Sequence, residues 1–347
     1  FRCNVGSALK DQERLDEALR WYEQALSLDP RCVGALVGRG LVQLTRGDFA
    51  AGWEGYEHRV GSPDFNTRNF AQPRWDGAAL AGRTLLVHCE QGLGDTLQFI
   101  RALRWLEGQD GRVIVAAPPV LVPLLTQSGF TGIVSQSEPL PSFDLHVPLL
   151  SLPRIFRIDA DSIPRDESYL AADRERIARW RSELAKYPGL KVGIAWQGDP
   201  KFKGDGWRSV RLDRFAPLAA VGGARLVSLQ KGSGSEQLAA FARQWEVLDL
   251  SDSLDNGGGA FLDTAAIMMN VDLVVTTDTA IAHLAGALGV PVWVALSRPA
   301  DWRWLSERGD SPWYPTMRLF RQPTSGDWKS VFESMAQELA QWVESAR

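Results

Sequence analysis

The chain is poor in cysteine, with only Cys3, Cys32 and Cys89 in 347 residues. They form no Cys-x-x-Cys pair and their number is odd, which excludes a disulfide framework and a cysteine zinc site and favours a reducing, cytoplasmic compartment. No apolar run approaches the roughly 18 residues needed to cross a bilayer, and Phe1-Arg2-Cys3-Asn4 carries no signal-peptide core, so no integral membrane segment is expected. The chain starts without Met, inside a helical pattern, which points to residues upstream. It also lacks an excess of one charge: the formal net charge is -4, which gives no global attraction to nucleic acid or to anionic membrane. A P-loop, a G-x-S-x-G elbow and a His/Asp/Glu cluster with metal-ligand spacing are all missing, so neither metal nor cofactor is expected. Asp159-Ala160-Asp161 has the spacing of a metal clamp, but it follows no convincing strand and precedes Pro164, and it reads as a solvated loop.

What is present begins with an internal repeat. Gly6 and Gly40 are 34 apart, as are Tyr22 and Tyr56, the period of tetratricopeptide repeats, in which two helices form each unit. Gly6 lets two helices approach, Ala18, Tyr22 and Ala25 line the second, and Pro30 ends it. The second copy is degenerate: Gly52 stands for Ala18, and Asp64, beside Pro63, stands for Pro30. From Thr84 to Leu296, short β-branched runs alternate with helical stretches, the pattern of an α/β fold with parallel sheets. The expected strands are 84–88, 112–116, 132–135 and 144–147 in one half, and 191–196, 225–229, 246–250, 272–276 and 291–296 in the other. A charged helical stretch from Asp173 to Lys186 ends at Tyr187-Pro188-Gly189, a stop signal and an expected hinge. The resulting division is tetratricopeptide-type helices over 1–62, a first Rossmann-like lobe over 63–188, a second over 189–326, and a last helix over 327–347 that packs back on the lobes.

Chemistry concentrates at strand ends. Val271 to Thr277 reads as a buried strand whose polar turn opens a helix, where Asp278 or Thr279 can cap. The helix amides there suit a diphosphate, and His283, four residues after Thr279, shares its face. In the first half, Glu90-Gln91-Gly92-Leu93-Gly94-Asp95 follows the first strand; its glycines permit a tight turn, and Asp95 is placed to take a proton from a hydroxyl. The pattern stops short of G-x-G-x-x-G, so nicotinamide binding is not implied. Cations for a leaving phosphate follow strand ends in the second half, at Arg208 and in Gln230-Lys231, whereas Lys201 and Lys203 read as solvated charges. The tryptophan-rich stretches at 301–305 and 311–315 read as packing.

These residues resemble a family. Gly92-Leu93-Gly94-Asp95 and Asp278-Thr279-Ala280 through His283 are similar to the paired motifs of GT-B glycosyltransferases related to the heptosyltransferases, with Arg208 where that family carries a phosphate-binding lysine and Ala280 where it carries glycine. The order of repeats and transferase resembles protein O-GlcNAc transferase and flagellin-modifying enzymes. The resemblance implies a GT-B fold and a nucleotide-sugar donor, and it assigns Asp95 as catalytic residue. The implied donor-binding set is Gly94, Trp196, Arg208, Gln230, Lys231, Asp278, Thr279, Ala280 and His283. Concave helical repeats suit a polypeptide acceptor, flagellin among the candidates. Two rival readings are a nucleotide-sugar epimerase on the same scaffold and a non-catalytic repeat scaffold with a decayed transferase half.

Overall fold

The computed structural model describes residues 1–62, 68, 70–164, 168–256 and 259–345; Pro63 and Asp64, the expected end of the second repeat, lie outside the described residues. The chain divides into two compact units. The first holds Phe1–Pro119, Thr131–Pro164 and Pro299–Arg308, and the second holds Val120–Phe130, Arg165–Arg298 and Gly309–Arg347.

The first unit opens with four helices, α1 (Arg2–Lys10), α2 (Leu15–Leu28), α3 (Val33–Thr45) and α4 (Phe49–Glu57), followed by a 3-10 turn at His58–Gly61. Missing side chains set their spacing. A Cβ on Gly6 would lie 2.7 Å from the buried ring of Tyr22, and one on Gly40 would lie 2.5 Å from the backbone nitrogen of Tyr56. The residue pairs that recur 34 apart therefore meet in both hairpins. Asp48 caps α4, accepting a hydrogen bond from the Ala51 amide at 3.2 Å.

Then come β1 (Thr84–His88), α5 (Leu93–Phe99) and β2 (Arg112–Ala117). The helix α6 (Val122–Gln127) belongs to the second unit, and the chain continues through β3 (Ile133–Ser135), β4 (Leu145–Pro148) and α7 (Leu152–Ile155). The four strands form a parallel sheet in the order β3-β2-β1-β4. Leu85, Leu86 and Val87 of β1 are fully buried, as expected of a central parallel strand covered on both faces.

The second unit adds α8 (Arg174–Leu184), β5 (Leu190–Ala195), α9 (Asp205–Arg208), α10 (Ala216–Ala219), β6 (Ala224–Ser228) and α11 (Leu238–Phe241). It continues through β7 (Val247–Leu248), α12 (Leu262–Met268), β8 (Leu273–Thr277) and α13 (Ala280–Ala287). It ends with β9 (Val292–Leu296), β10 (Met317–Arg321) and α14 (Trp328–Ser345). Its parallel sheet runs β10-β9-β8-β5-β6-β7, the doubly wound nucleotide-binding order, with the switch point between β8 and β5.

Two expectations change. Tyr187–Gly189 is not a hinge between halves, because α8 is bound into the second unit. Arg176 Nη1 and Trp180 Nε1 converge on Asp263 of α12 at 2.8 and 3.0 Å, and Asn270 Nδ2 donates to the Ile177 carbonyl at 3.0 Å. The chain leaves the first unit at residue 164 rather than 188. The last helix packs on the second unit: Val331, Phe332, Met335, Leu339 and Val343 of α14 lie in one core cluster with Val192, Ile194, Leu273 and Val275. The late segment that belongs to the first unit is Pro299–Arg308.

Candidate functional site

In the second unit, β5 and β8 are neighbours in a register that pairs Ala195 with Thr276, so the residues after each strand emerge side by side at the switch point. After β8 comes Asp278, and Thr279 is the N-cap of α13, in extended conformation and without a side-chain cap hydrogen bond. The Ala282 amide donates to the Thr279 carbonyl at 3.0 Å, and the Thr279 side chain caps neither of the two amides before it. Two residues before the cap, the buried Thr277 Oγ1 has no hydrogen-bond partner among the described residues. After β5, Gly198 carries Arg208 where a side chain would otherwise stand: a Cβ there would be 2.8 Å from Arg208 Nη2 and 2.7 Å from Asp205 Oδ1. Asp205 is buried and fixed by Ser209 Oγ at 2.8 Å, and it accepts from Arg208 Nε at 3.3 Å. The guanidinium lies 4.4 Å over the ring of Phe202. The two neighbouring strands therefore lead to a polar helix start after β8 and to a held arginine after β5.

Four residues of the expected donor set do other work. Trp196 is fully buried, with its Nε1 on the Gly234 carbonyl at 3.2 Å, so its indole is core and not a stacking face. Gln230 accepts from the Trp196 and Gln197 amides at 3.0 and 3.1 Å and donates to the Gln197 and Ser233 carbonyls at 3.0 and 2.8 Å, which commits both ends of the amide to clamping two loops. Lys231 Nζ donates to the carbonyls of Leu254 and Asp255 and to Asn256 Oδ1, three acceptors for three ammonium protons. His283 is buried in α13, with Nδ1 at 3.0 Å from Tyr314 Oη, which lies 3.4 Å from Tyr169 Oη. Asp278, Thr279, Ala280 and Arg208 remain at the strand ends.

Gly94 belongs to the first unit, in the first turn of α5, and not to the unit that holds the rest of the expected donor set. Asp95 stands in that same turn. Its Oδ2 accepts from the Gly92 amide at 2.9 Å, and its Oδ1 pairs with Arg303 Nη2. Just before the turn, buried Glu90 accepts from Arg59 Nη2 at 2.9 Å and from the Leu150 amide at 3.2 Å. Burial pushes the Glu90 carboxyl above the usual range, against the opposing charge of Arg59. Arg303, Glu90, Thr277 and Gly198 were not singled out from the sequence. For Arg303 the only signal was the Trp302-Arg303-Trp304 triplet, in which an arginine interrupts a buried aromatic stretch.

Asp159 forms a local turn, accepting from the Asp161 and Ser162 amides at 3.0 and 2.8 Å, as a solvated loop would. Among the described residues no three His, Cys, Asp or Glu side chains gather, and no helix is long and apolar enough to cross a membrane.

No family model matches the chain. Protein FlbA of Caulobacter vibrioides is 29% identical over 340 residues, covering 88% of this chain and 55% of FlbA. The chain thus spans about half the length of that relative. A coverage of 88% exceeds what residues 84–347 can supply, so the match reaches into the residues before β1. A crystal structure of a glycosyl transferase family 9 protein from Veillonella parvula superposes with a TM-score of 0.52 at 12% identity, covering 76% of this chain and 98% of the other. The fold is that of a glycosyltransferase structure. An E. coli ADP-heptose lps heptosyltransferase II covers the same 76% of this chain and 99% of its own, at 14% identity and a TM-score of 0.49.

Proposed function

We propose that the chain is a glycosyltransferase that moves a sugar from a nucleotide-sugar donor to an acceptor hydroxyl by direct, inverting displacement without a metal ion. The observation that carries this reading is the start of α13: amides without a side-chain cap, Thr279 at the cap and an unpartnered Thr277 hydroxyl, on the strand beside the one that leads to Arg208. A nucleoside diphosphate supplies the acceptor oxygens that such a helix start lacks, and Arg208 supplies a two-pronged cation. In this reading the second unit holds the donor and the first unit the acceptor. Asp95 takes the proton of the acceptor hydroxyl, whose oxygen bonds to the anomeric carbon. The carbon–oxygen bond to the diphosphate breaks, and its electron pair leaves with the nucleotide. Charge growing on the leaving group is met by the α13 dipole and Arg208, work that other enzymes give to a divalent cation.

The helices of the first unit are, on this reading, tetratricopeptide-type repeats that present a polypeptide acceptor. The 34-residue recurrence of contacting glycine and tyrosine positions supports it, as does the upstream reach of the FlbA match.

The test is thermal stabilisation against UDP, GDP, ADP and CMP, with and without EDTA, because a ligand specific for the folded state raises stability by mass action. A chelator-insensitive shift with one nucleotide, lost in Arg208→Ala and Thr279→Ala, supports the donor site. No shift with any of them sinks the transferase reading in favour of a non-catalytic scaffold. Turnover of the sugar without any acceptor would instead identify an epimerase.

A further inference from the structure

Asp95 is reached from a stretch of sequence about two hundred residues away. Beyond its pair with Asp95 Oδ1, Arg303 donates through Nε to Gln98 Oε1 at 2.8 Å and through Nη1 to Asp301 Oδ1 at 2.9 Å. The flat side of the guanidinium lies 4.4 Å over the ring of Trp302. A planar fork with donors fixed in direction satisfies three acceptors and a stacking partner in one orientation only. Burial opposes the charge of Arg303, yet the carboxylates of Asp301 and Asp95 outweigh it and keep the group protonated. The fork is therefore a rigid stop against which the Asp95 carboxylate rests.

That stop is itself held by helix α4. Trp302 stands edge-on to Trp53 at 5.4 Å between ring centroids, and its ring centroid is 5.8 Å from that of Tyr56. Tyr56 also reaches the other end of the Asp95 turn, where its hydroxyl accepts from Gln91 Nε2 at 2.7 Å. Gln91 has φ +65°, the left-handed region that a non-glycine residue holds only against a cost, so this bond pins the least relaxed residue of the turn. Tyr56 thus meets Trp302, on which the Arg303 fork stacks, and Gln91, the residue before the Gly92 amide that Asp95 accepts from.

We propose that Arg303 and Tyr56 are positioning residues for Asp95, so that helix α4 is a working part of the base's setting and not a detachable recognition arm. The proposal rests on the reading of Asp95 as the transfer base. A carboxylate with one lone pair given to Arg303 and one to the Gly92 amide keeps further lone pairs for an acceptor hydroxyl, now in a fixed direction. A ligand bound along the helices that shifts α4 then moves Asp95 as well.

The test uses the whole chain and three variants. Tyr56→Phe keeps the packing and deletes the bond to Gln91; Arg303→Gln removes the ion pair; Arg303→Lys restores a cation without the fork. Amide hydrogen exchange is read over residues 91–96, with β8 and α13 as references, and nucleoside diphosphate release is measured from UDP-, GDP- and ADP-linked sugars with a serine- and threonine-rich peptide as acceptor, over a blank without peptide. Exchange should quicken at 91–96 and stay unchanged at the references. Mispositioning of this kind lowers kcat on the order of 10²-fold for Arg303→Gln and roughly tenfold for Tyr56→Phe, the value of one buried hydrogen bond. The donor KM should hold, and Arg303→Lys should recover part of the loss. Unchanged exchange at 91–96 overturns the proposal, as does a loss carried in KM or an Arg303→Lys variant no better than Arg303→Gln. If the unaltered chain releases no nucleotide from any donor, the transferase reading fails, while the exchange data still decide whether α4 holds the turn.

Discussion

Replacing Gly198 by alanine adds one carbon at the carboxyl end of β5, and the surroundings dictate which neighbour yields. The new Cβ arrives 2.7 Å from Asp205 Oδ1 and 2.8 Å from Arg208 Nη2, both inside contact distance. Asp205 is buried and doubly bound, whereas Arg208 ends a flexible side chain that keeps 24% of its surface exposed, so Arg208 is the group that swings away. A charge-assisted hydrogen bond to phosphate is worth about 1.5–3 kcal/mol. Its loss weakens binding of a nucleoside diphosphate by roughly 10- to 150-fold. Stability of the free protein should fall by about 1 kcal/mol, because the guanidinium swings into water and buried Asp205 loses that partner but keeps its bond to Ser209 Oγ. Isothermal titration with whichever nucleotide stabilises the chain, beside calorimetric melting without ligand, measures both. A Kd within about twofold of the unaltered chain refutes the placement of Arg208 on the diphosphate. A large drop in melting temperature refutes the argument that Arg208 is the side that gives.

Lys231→Met should leave nucleotide affinity within about twofold while loosening residues 254–256, whose carbonyls the ammonium holds; a tenfold loss of affinity would return Lys231 to the phosphate site. Gly40→Ala forces α3 from α4 against backbone atoms 2.5 and 2.7 Å away and should cost about 1–3 kcal/mol in a urea titration. Gly206→Ala, where nothing lies within 4 Å, should cost little, and equal costs for the two would refute the packing argument. His88 is held neutral by burial and by the neighbouring His146, its pKa lowered to about 3 from 6.5. Between those values the unfolded chain binds more protons, so stability falls as the pH drops below 6.5, by up to roughly 1.4 kcal/mol per unit from this group. His88→Phe should flatten that slope in unfolding measured from pH 7 to 5, and an unaltered slope would assign the acid sensitivity elsewhere.

Strands were legible where the chain is buried on both faces. β1, β5, β8 and β9 announce themselves by apolar cores, at 85–87, 192–195, 273–275 and 292–296, because a central parallel strand has no wet face to encode. β10 was not read: Met317 to Arg321 alternates, with Met317 and Leu319 buried and Arg318 exposed, and an edge strand in a parallel sheet carries no such run. The helix start at Thr279 was legible from the strand-to-cap transition alone. The fates of Gln230, Lys231 and His283 were not, because the groups that engage them, at 197, 233, 254–256 and 314, are set by folding and leave no local periodicity. The same holds for Asp95 and Arg303: a carboxylate after a glycine turn signals a site, but nothing near residue 95 specifies what stands against it.

The first unit takes ten residues, Pro299–Arg308, from the midst of sequence that otherwise builds the second. The path passes from one unit to the other after Pro119, Phe130, Pro164, Arg298 and Arg308. No single cut divides such a chain, and a fragment ended at Pro164 would carry Asp95 without Arg303. Recombination between relatives faces the same obstacle. An exchange of everything after Pro164 would import a foreign 299–308 stretch against the native helices. On the proposed transferase reading, acceptor and donor preferences should therefore change together, or by substitution in place, rather than by swapping halves.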